Sequence, residues 1–155
     1  MKDLTTSEIA RSNVLNNKYA LEEMQTAIGL RGVLFEGEYK FTKQQIASFF
    51  EVSDRTIKSC LTKNAEELCR NGYDVLDGNR LKNFKLALFK NDDREVNFPI
   101  KTNKLGVFNF RAFLNIAMLL SKSERAREVR SLILDIVIDT INKRTGGNTK
   151  YINQR

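Results

Sequence analysis

Polar and basic side chains recur along residues 53–63 at spacings that would place them on one side of a helix. Ile57, Cys60 and Leu61 are the apolar positions of this stretch and are expected to face a core. Guanidinium, ammonium and hydroxyl groups on the opposite side could hydrogen-bond to base edges and phosphate oxygens in a DNA groove. The candidate DNA-contacting residues of this helix are Ser53, Arg55, Thr56, Lys58, Ser59, Thr62 and Lys63.

A preceding helix must hold this one at a fixed angle, and residues 42–50 have the required pattern. Thr42 and Ser53 are the predicted N-caps, and Ala47 is the small residue that lets two helices approach each other. Glu51 stands where a helix-turn-helix commonly has glycine, which implies a non-glycine turn geometry. Lys43 and Gln44, at the start of the first helix, are further candidate DNA contacts. The core positions are Ile46, Ala47, Phe49, Phe50 and Val52.

The charge of this segment favours a DNA-binding helix-turn-helix over a helical hairpin that only packs in a core. Residues 40–63 carry five basic groups (40, 43, 55, 58 and 63) against two acidic ones. The whole chain has a formal charge of +7 and no histidine. A positive balance favours an anionic partner, because phosphate contacts release condensed counterions.

The segment that follows contains a predicted β-hairpin. Asp77-Gly78-Asn79 separates two strand-like runs, residues 73–76 and 80–89, and Asp-Gly is a strong hairpin signal. In a winged-helix domain, the second helix of the helix-turn-helix is the recognition helix, here residues 53–63, and the hairpin that follows it is the wing. If residues 73–89 form such a wing, Arg80 and Lys82 would face phosphates. The alternative, a solvated hairpin with incidental lysines, stays open.

Cap and turn signals predict the remaining elements. Residues 5–8 (TTSE) have the form of a capping box, so a helix is expected from there until Gly29. Glu36-Gly37 predicts a β-hairpin between residues 33–35 and 39–41. A helical stretch from Ala65 is expected to end at Asn71-Gly72.

The C-terminal part is predicted to be a polar loop over residues 91–104, a short helix over 112–120 and a long helix over 123–143. A second capping box, SKSE, opens the long helix, which is apolar on more sides than a surface helix needs. Residues 123–143 are therefore either central in a core or a homodimer interface through Ile136, Val137 or Ile138. Arg125, Arg127 and Arg130 are expected to form a solvated face rather than a phosphate clamp.

Two stretches resemble the DNA-binding region of RhuM-like virulence proteins and of phage antirepressors of the KilA-N and Bro-N type. They are FTKQQIASFFEVSDRTIKSCL (41–61) and the segment from 108 onward, with MLLSKSERAREVR ahead of a long helix. The resemblance covers roughly residues 33–155 and implies a role in prophage, mobile-element or virulence regulation. It also implies a further C-terminal domain, which the abrupt end of the chain is expected to have lost.

The predicted fold class is therefore mainly α with small β-hairpins (α+β): a winged helix-turn-helix over residues 1–90 and a loop with a C-terminal long-helix segment over 91–155. Without histidine or a G-x-x-x-x-G-K-[ST] motif, we expect neither an enzyme, a metal site nor a cofactor. Cys60 and Cys69 are expected to be reduced, buried residues of a cytoplasmic, nucleoid-associated protein. No apolar run is long enough to span a membrane.

Two functions of different class remain. The first is a regulator or antirepressor that binds duplex DNA, as a homodimer, through its helix-turn-helix. The second is a protein-interaction module, such as an antitoxin or antirepressor that acts mainly on a partner protein. Retardation of a particular genomic fragment in a gel would favour the first, and co-purification with a partner the second.

Overall fold

The computed structural model describes residues 3–90 and 103–144. The chain is mainly helical with one four-stranded antiparallel sheet, which confirms the predicted α+β class. The elements, in chain order, are α1 (Glu8–Leu15), α2 (Lys18–Ile28), β1 (Val33–Phe35), β2 (Glu38–Thr42), α3 (Lys43–Phe50), α4 (Asp54–Lys63), α5 (Ala65–Arg70), β3 (Tyr73–Leu76), α6 (Gly78–Lys90), β4 (Leu105–Phe108), α7 (Phe110–Leu119) and α8 (Glu124–Arg144).

The chain divides into two compact units, and the division differs from the predicted boundary at residue 90. Residues 31–116 form one unit, here called the central unit. Residues 1–30 and 117–155 form the other, here called the terminal unit. The sheet and the helix-turn-helix segment belong to the central unit, and helices α1, α2 and α8 belong to the terminal unit.

The sheet of the central unit has the strand order β1-β2-β4-β3. Its first two strands form the predicted hairpin, with Val33 opposite Lys40. Glu36 and Gly37 both have positive φ, 53° and 86°, as a two-residue turn of type I′ requires. Strand β4 was not predicted; its Phe108 lies between Phe41 of β2 and Tyr73 of β3.

The predicted hairpin across Asp77-Gly78 is wrong, because residues 78–90 form helix α6 and not a strand. Strand β3 pairs instead with β4, about thirty residues further along the chain. Leu81, Phe84 and Leu88 have helical spacing, and all three are buried against the sheet. Burying three large apolar side chains on one helix face outweighs the short-range turn signal.

The two faces of the sheet are covered by different elements. Helix α6 covers the face that includes Val33, Phe35 and Val107, and the Phe35 and Phe84 rings meet edge to face at 5.3 Å between centroids. Phe41 and Phe108 point to the opposite face because side chains alternate along a strand. That second face carries α3 and α7 (see below).

The terminal unit begins with two helices where a single one was predicted. Gly29 ends α2 with φ 64°, as predicted. The N-cap of α1 is Ser7 and not Thr5, the first residue of the predicted capping box. Asn17 interrupts the segment, because its side chain accepts a hydrogen bond from the Ala20 N–H and caps a new helix. Asparagine favours this N-cap role over a helix interior.

Helix α8 confirms the predicted long helix, but its cap is Ser123 and not Ser121, the first residue of the predicted capping box. The Ser123 Oγ accepts from the Ala126 N–H at 3.1 Å. One face of α8 packs against α2 and buries Ile133 and Ile136, so this face belongs to a core. Val137 and Ile138 are half-buried. The homodimer remains a prediction.

Three further expectations concern the two cysteines, the loop before β4 and the membrane. Cys60 is buried as predicted, whereas Cys69 is exposed on α5, and both are free thiols. The predicted loop lies largely in residues 91–102, outside the described part of the chain. Within residues 3–90 and 103–144, no helix combines the length and the apolar character needed to cross a bilayer.

Candidate nucleic-acid interface

The first helix of the helix-turn-helix starts at a reciprocal cap. The Thr42 hydroxyl accepts a hydrogen bond from the Gln45 N–H, and the Gln45 side chain accepts one from the Thr42 N–H at 2.9 Å. These two bonds satisfy backbone donors that a helix start would otherwise leave open. They set the first residue of α3 and therefore place Lys43 and Gln44 on its first turn.

The turn between α3 and α4 has left-handed backbone at Glu51, with φ 57° and ψ 43°. The expected non-glycine turn geometry is therefore wrong: glutamate adopts the conformation that glycine favours, at a cost of about 1–2 kcal/mol. The Glu51 and Val52 N–H groups donate back to the last turn of α3, including a 3.0 Å bond from Val52 to the Ala47 carbonyl. These bonds and the apolar packing on either side hold the turn.

Helix α4 presents its polar residues on the side away from the core. Ile57 and Cys60 are buried, and Leu61 is half-buried. At 100° per residue, Arg55, Ser59 and Thr62 lie on the opposite face. An α-helix with its side chains is about 10–12 Å in diameter, which fits a major groove about 12 Å wide. All seven candidate residues from 53 to 63 are exposed.

Some of these exposed hydroxyls already have partners within the helix. Ser53 Oγ accepts from the Thr56 N–H at 3.1 Å and lies 3.0 Å from Thr56 Oγ1. Thr62 Oγ1 donates to the Lys58 carbonyl at 2.9 Å. Ser53 and Thr56 therefore stabilise the start of α4, and Ser59 is the serine placed centrally on the outer face.

The cations of the helix pair have no acidic partners nearby. Of the carboxylates in the described residues, none lies within 4 Å of the ammonium or guanidinium groups of Lys43, Arg55, Lys58 and Lys63. Lys40, the fifth basic residue of the segment, is buried and pairs with Glu38 at 2.9 Å. The free positive charge thus comes from the two helices and not from the strand before them.

Arg80 and Lys82 are not part of this surface, which corrects their assignment to a wing. Both lie on α6, which covers the sheet face opposite to α3. The Arg80 guanidinium donates two hydrogen bonds to Glu36 (3.0 and 2.7 Å) and one to Asp74 (2.7 Å). The hydrogen bonds that Arg80 donates to Glu36 and then to Asp74 raise the pKa of Arg80, and the hydrogen bond with Arg80 lowers the pKa of Glu36. The charge of Arg80 is therefore already compensated.

A cluster of phenylalanine rings supports the helix-turn-helix from below. The fully buried Phe113 of α7 stacks on Phe50 of α3, with 5.2 Å between centroids and 15° between planes. Its ring also contacts those of Phe49, Phe41 and Phe110, at centroid distances of 5.2, 6.0 and 5.6 Å. Aromatic pairs at such distances add to the free energy of apolar burial, so Phe113 contributes to the packing that supports α3.

A buried polar chain joins α5, the helix after the recognition helix, to α7. Asn115 is fully buried; its Nδ2 donates to Glu67 Oε2 at 2.7 Å, and its Oδ1 accepts from Asn71 at 2.8 Å. Arg111 Nε donates to Asn71 Oδ1 at 3.0 Å, and burial lowers the pKa of Arg111. This network was not predicted, because its hydrogen-bonded residues are 40–48 positions apart and share no local motif.

The arrangement offers cationic and hydroxyl donors to an anionic partner. Across the described residues there is no group of three or more histidine, cysteine or carboxylate side chains that could hold a metal ion. No family model, curated protein or solved structure with which the chain was compared matches it.

Proposed function

We propose that this chain binds duplex DNA through the outer face of α4, with α3 positioning that helix on the phosphate backbone. The observation that carries the proposal is the exposed, uncompensated positive face of a helix whose other side is buried. Arg55 and Lys58 are the proposed base-reading residues, together with Ser59 and Thr62. Lys43 and Lys63 are the proposed phosphate contacts.

The topology around the helix pair is compatible with a variant of the winged helix. The strand before the helix-turn-helix, β2, pairs with β4, and β4 pairs with β3, the strand that follows the helices. We propose that the connection between β3 and β4, which contains α6, stands where a winged-helix protein has its short wing. Arg80 and Lys82, which lie in this connection, are not proposed to contact DNA.

The proposed role is that of a sequence-specific regulator or antirepressor. Selection of bound fragments from the source genome, with the full chain, tests it directly. We expect a small set of fragments that the chain then retards in a gel at nanomolar to micromolar concentration. If every fragment binds equally weakly while the chain co-purifies with another protein, the protein-interaction function is the correct one.

Binding to duplex DNA should weaken steeply with salt. Each phosphate contact contributes about −0.9 to the slope of log affinity against log salt concentration, so two to four contacts give a slope of about −2 to −4 per chain. Fluorescence anisotropy between 50 and 200 mM salt measures this. Arg80→Gln is the control: it removes one positive charge that Glu36 and Asp74 already compensate, so the slope should not change. An affinity of the unmodified chain that does not depend on salt concentration contradicts DNA binding.

We also propose that two copies associate through residues 123–143. Val137 and Ile138 are half-buried and Ile141 is 52% exposed, with the spacing of one helix face. Ile141→Asp should give a folded monomer by sedimentation and weaken binding to a site with two half-sites. Ile9→Asp, which changes another exposed isoleucine of the terminal unit, should have no such effect. A monomeric unmodified chain contradicts the dimer.

A further inference from the structure

The terminal unit contains a cavity of about 480 Å³, within the size range of small-molecule sites. Two arginines, three hydroxyl side chains and one carboxylate account for most of its lining, so the cavity is polar. The net formal charge of the lining is +1. The lining residues are Asp3, Leu4, Thr5, Ser121, Arg127, Arg130, Ser131 and Leu134.

Arg130 is held rigidly at this cavity by backbone carbonyls. Its Nη1 donates to the carbonyls of Ala117 at 2.8 Å and of Leu120 at 2.9 Å. In the described part of the chain, no carboxylate forms an ion pair with Arg130 within 4 Å. Partial burial lowers the pKa of Arg130, although the negative charge of Asp3 acts in the opposite direction. This geometry contradicts the expectation that Arg130 belongs to a solvated face.

Arg127 lies one turn before Arg130 on α8 and is free to contribute. Its contact with Glu124 is long, 3.4 Å, and both side chains are more than two-thirds exposed. Such a surface pair contributes little to stability, so it does not hold Arg127 away from the cavity. The Asp3 carboxylate is occupied by the Thr5 N–H at 2.9 Å, and hydrogen bonds from Thr5 lower the pKa of Asp3.

We infer that this cavity binds a small phosphate-bearing molecule, with Arg130 and Arg127 donating to the phosphate oxygens. The guanidinium groups have planar donor pairs that match phosphate geometry. The hydroxyls of Thr5, Ser121 and Ser131 are three further donors. Together with the two guanidinium groups, they provide more donors than the two oxygens of a carboxylate would use. The inference is independent of the proposed DNA-binding face, because every lining residue belongs to the terminal unit. The dimer contact proposed above uses Val137, Ile138 and Ile141, which do not line the cavity.

Titration of the full chain with inorganic phosphate, followed by NMR of the backbone amides and of the arginine Nε–H groups, tests this inference. We expect saturable shifts at Ser121, Ser131 and Arg130, and much weaker shifts with acetate at equal ionic strength. Arg127→Gln should weaken phosphate binding about tenfold or more, because it removes a charge-assisted hydrogen bond. Asp3→Asn should tighten binding, since it removes the one negative charge of the lining.

Arg125→Gln is the matched control, because it removes the same charge from the same helix but Arg125 does not line the cavity. Phosphate affinity within about twofold of the unmodified chain is expected for it. Equal losses for Arg125→Gln and Arg127→Gln, or shifts that do not saturate, overturn the site. Acetate binding as tight as phosphate overturns the ligand class. Displacement of phosphate by duplex DNA shows a contact to the DNA backbone and overturns the small-molecule assignment.

Discussion

Replacing both Arg55 and Lys58 by alanine should abolish the preference of the chain for its cognate DNA site. Each base-reading contact contributes about 1–3 kcal/mol of discrimination. The pair together corresponds to about 2–6 kcal/mol, or a loss between about thirtyfold and about twenty-thousandfold. Both side chains are exposed on α4 and have no acidic partner among the described residues, so the fold should survive. Anisotropy with cognate and scrambled duplexes measures the ratio of the two affinities.

Two further variants separate base reading from general charge. Arg80→Ala with Lys82→Ala removes the same formal charge from α6, on the opposite face of the sheet, and should leave the affinity ratio unchanged. Lys43→Ala should weaken cognate and scrambled duplexes about equally, because a residue at the start of the first helix contacts backbone only. If Lys43→Ala alone changes the ratio, the roles of α3 and α4 are reversed.

Replacing Phe113 by alanine should lower the free energy of unfolding by about 3–5 kcal/mol, the range for a fully buried phenylalanine. Total stabilities of small proteins are about 5–15 kcal/mol, so the loss is severe. Phe113 contacts four other rings, including both phenylalanines of α3, and its removal leaves a cavity beneath that helix. DNA affinity should fall with stability, since α3 positions α4. Urea denaturation followed by circular dichroism measures the effect.

Phe89→Ala is the matched control for this substitution. The Phe89 side chain is 83% exposed on α6, so its removal should change stability by no more than about 0.5 kcal/mol. Equal midpoints for Phe113→Ala and the unmodified chain would contradict the packing described for α3. A loss for Phe89→Ala as large as that for Phe113→Ala would show that Phe89 is covered in solution.

Local signals correctly predicted the elements that present the candidate interface. The caps at Thr42 and Ser53 and the turn at Glu36-Gly37 were all predicted from residues no more than four positions apart. The inward Ile57 and Cys60 followed from helical periodicity in the same way. Hydrogen bonds at helix starts and tight turns join residues two to four positions apart, so a short stretch of sequence is sufficient to specify them.

The backbone conformation of Glu51 could not be predicted from local signals. The sequence showed that a residue other than glycine occupies the turn, but not that it would adopt glycine's backbone conformation. The left-handed geometry is stabilised by the hydrogen bond from the Val52 N–H to the Ala47 carbonyl and by the packing of Val52. Both depend on the positions of the two helices. The break at Asn16-Asn17 is a different case, since asparagine capping is local and its signal was available in the sequence.

Only the tertiary structure decided the conformation of residues 78–90 and the role of Arg80. Phe84, Leu86 and Leu88 alternate as in a strand, whereas Leu81, Phe84 and Leu88 repeat as in a helix, so both periods fit. The sheet selects the helix, because it offers Leu81, Phe84 and Leu88 a common apolar surface. Arg80 pairs with Glu36 across 44 residues of sequence, and Asn115 reaches Glu67 across 48. Such contacts depend on how distant elements pack, and no local pattern of residues specifies them.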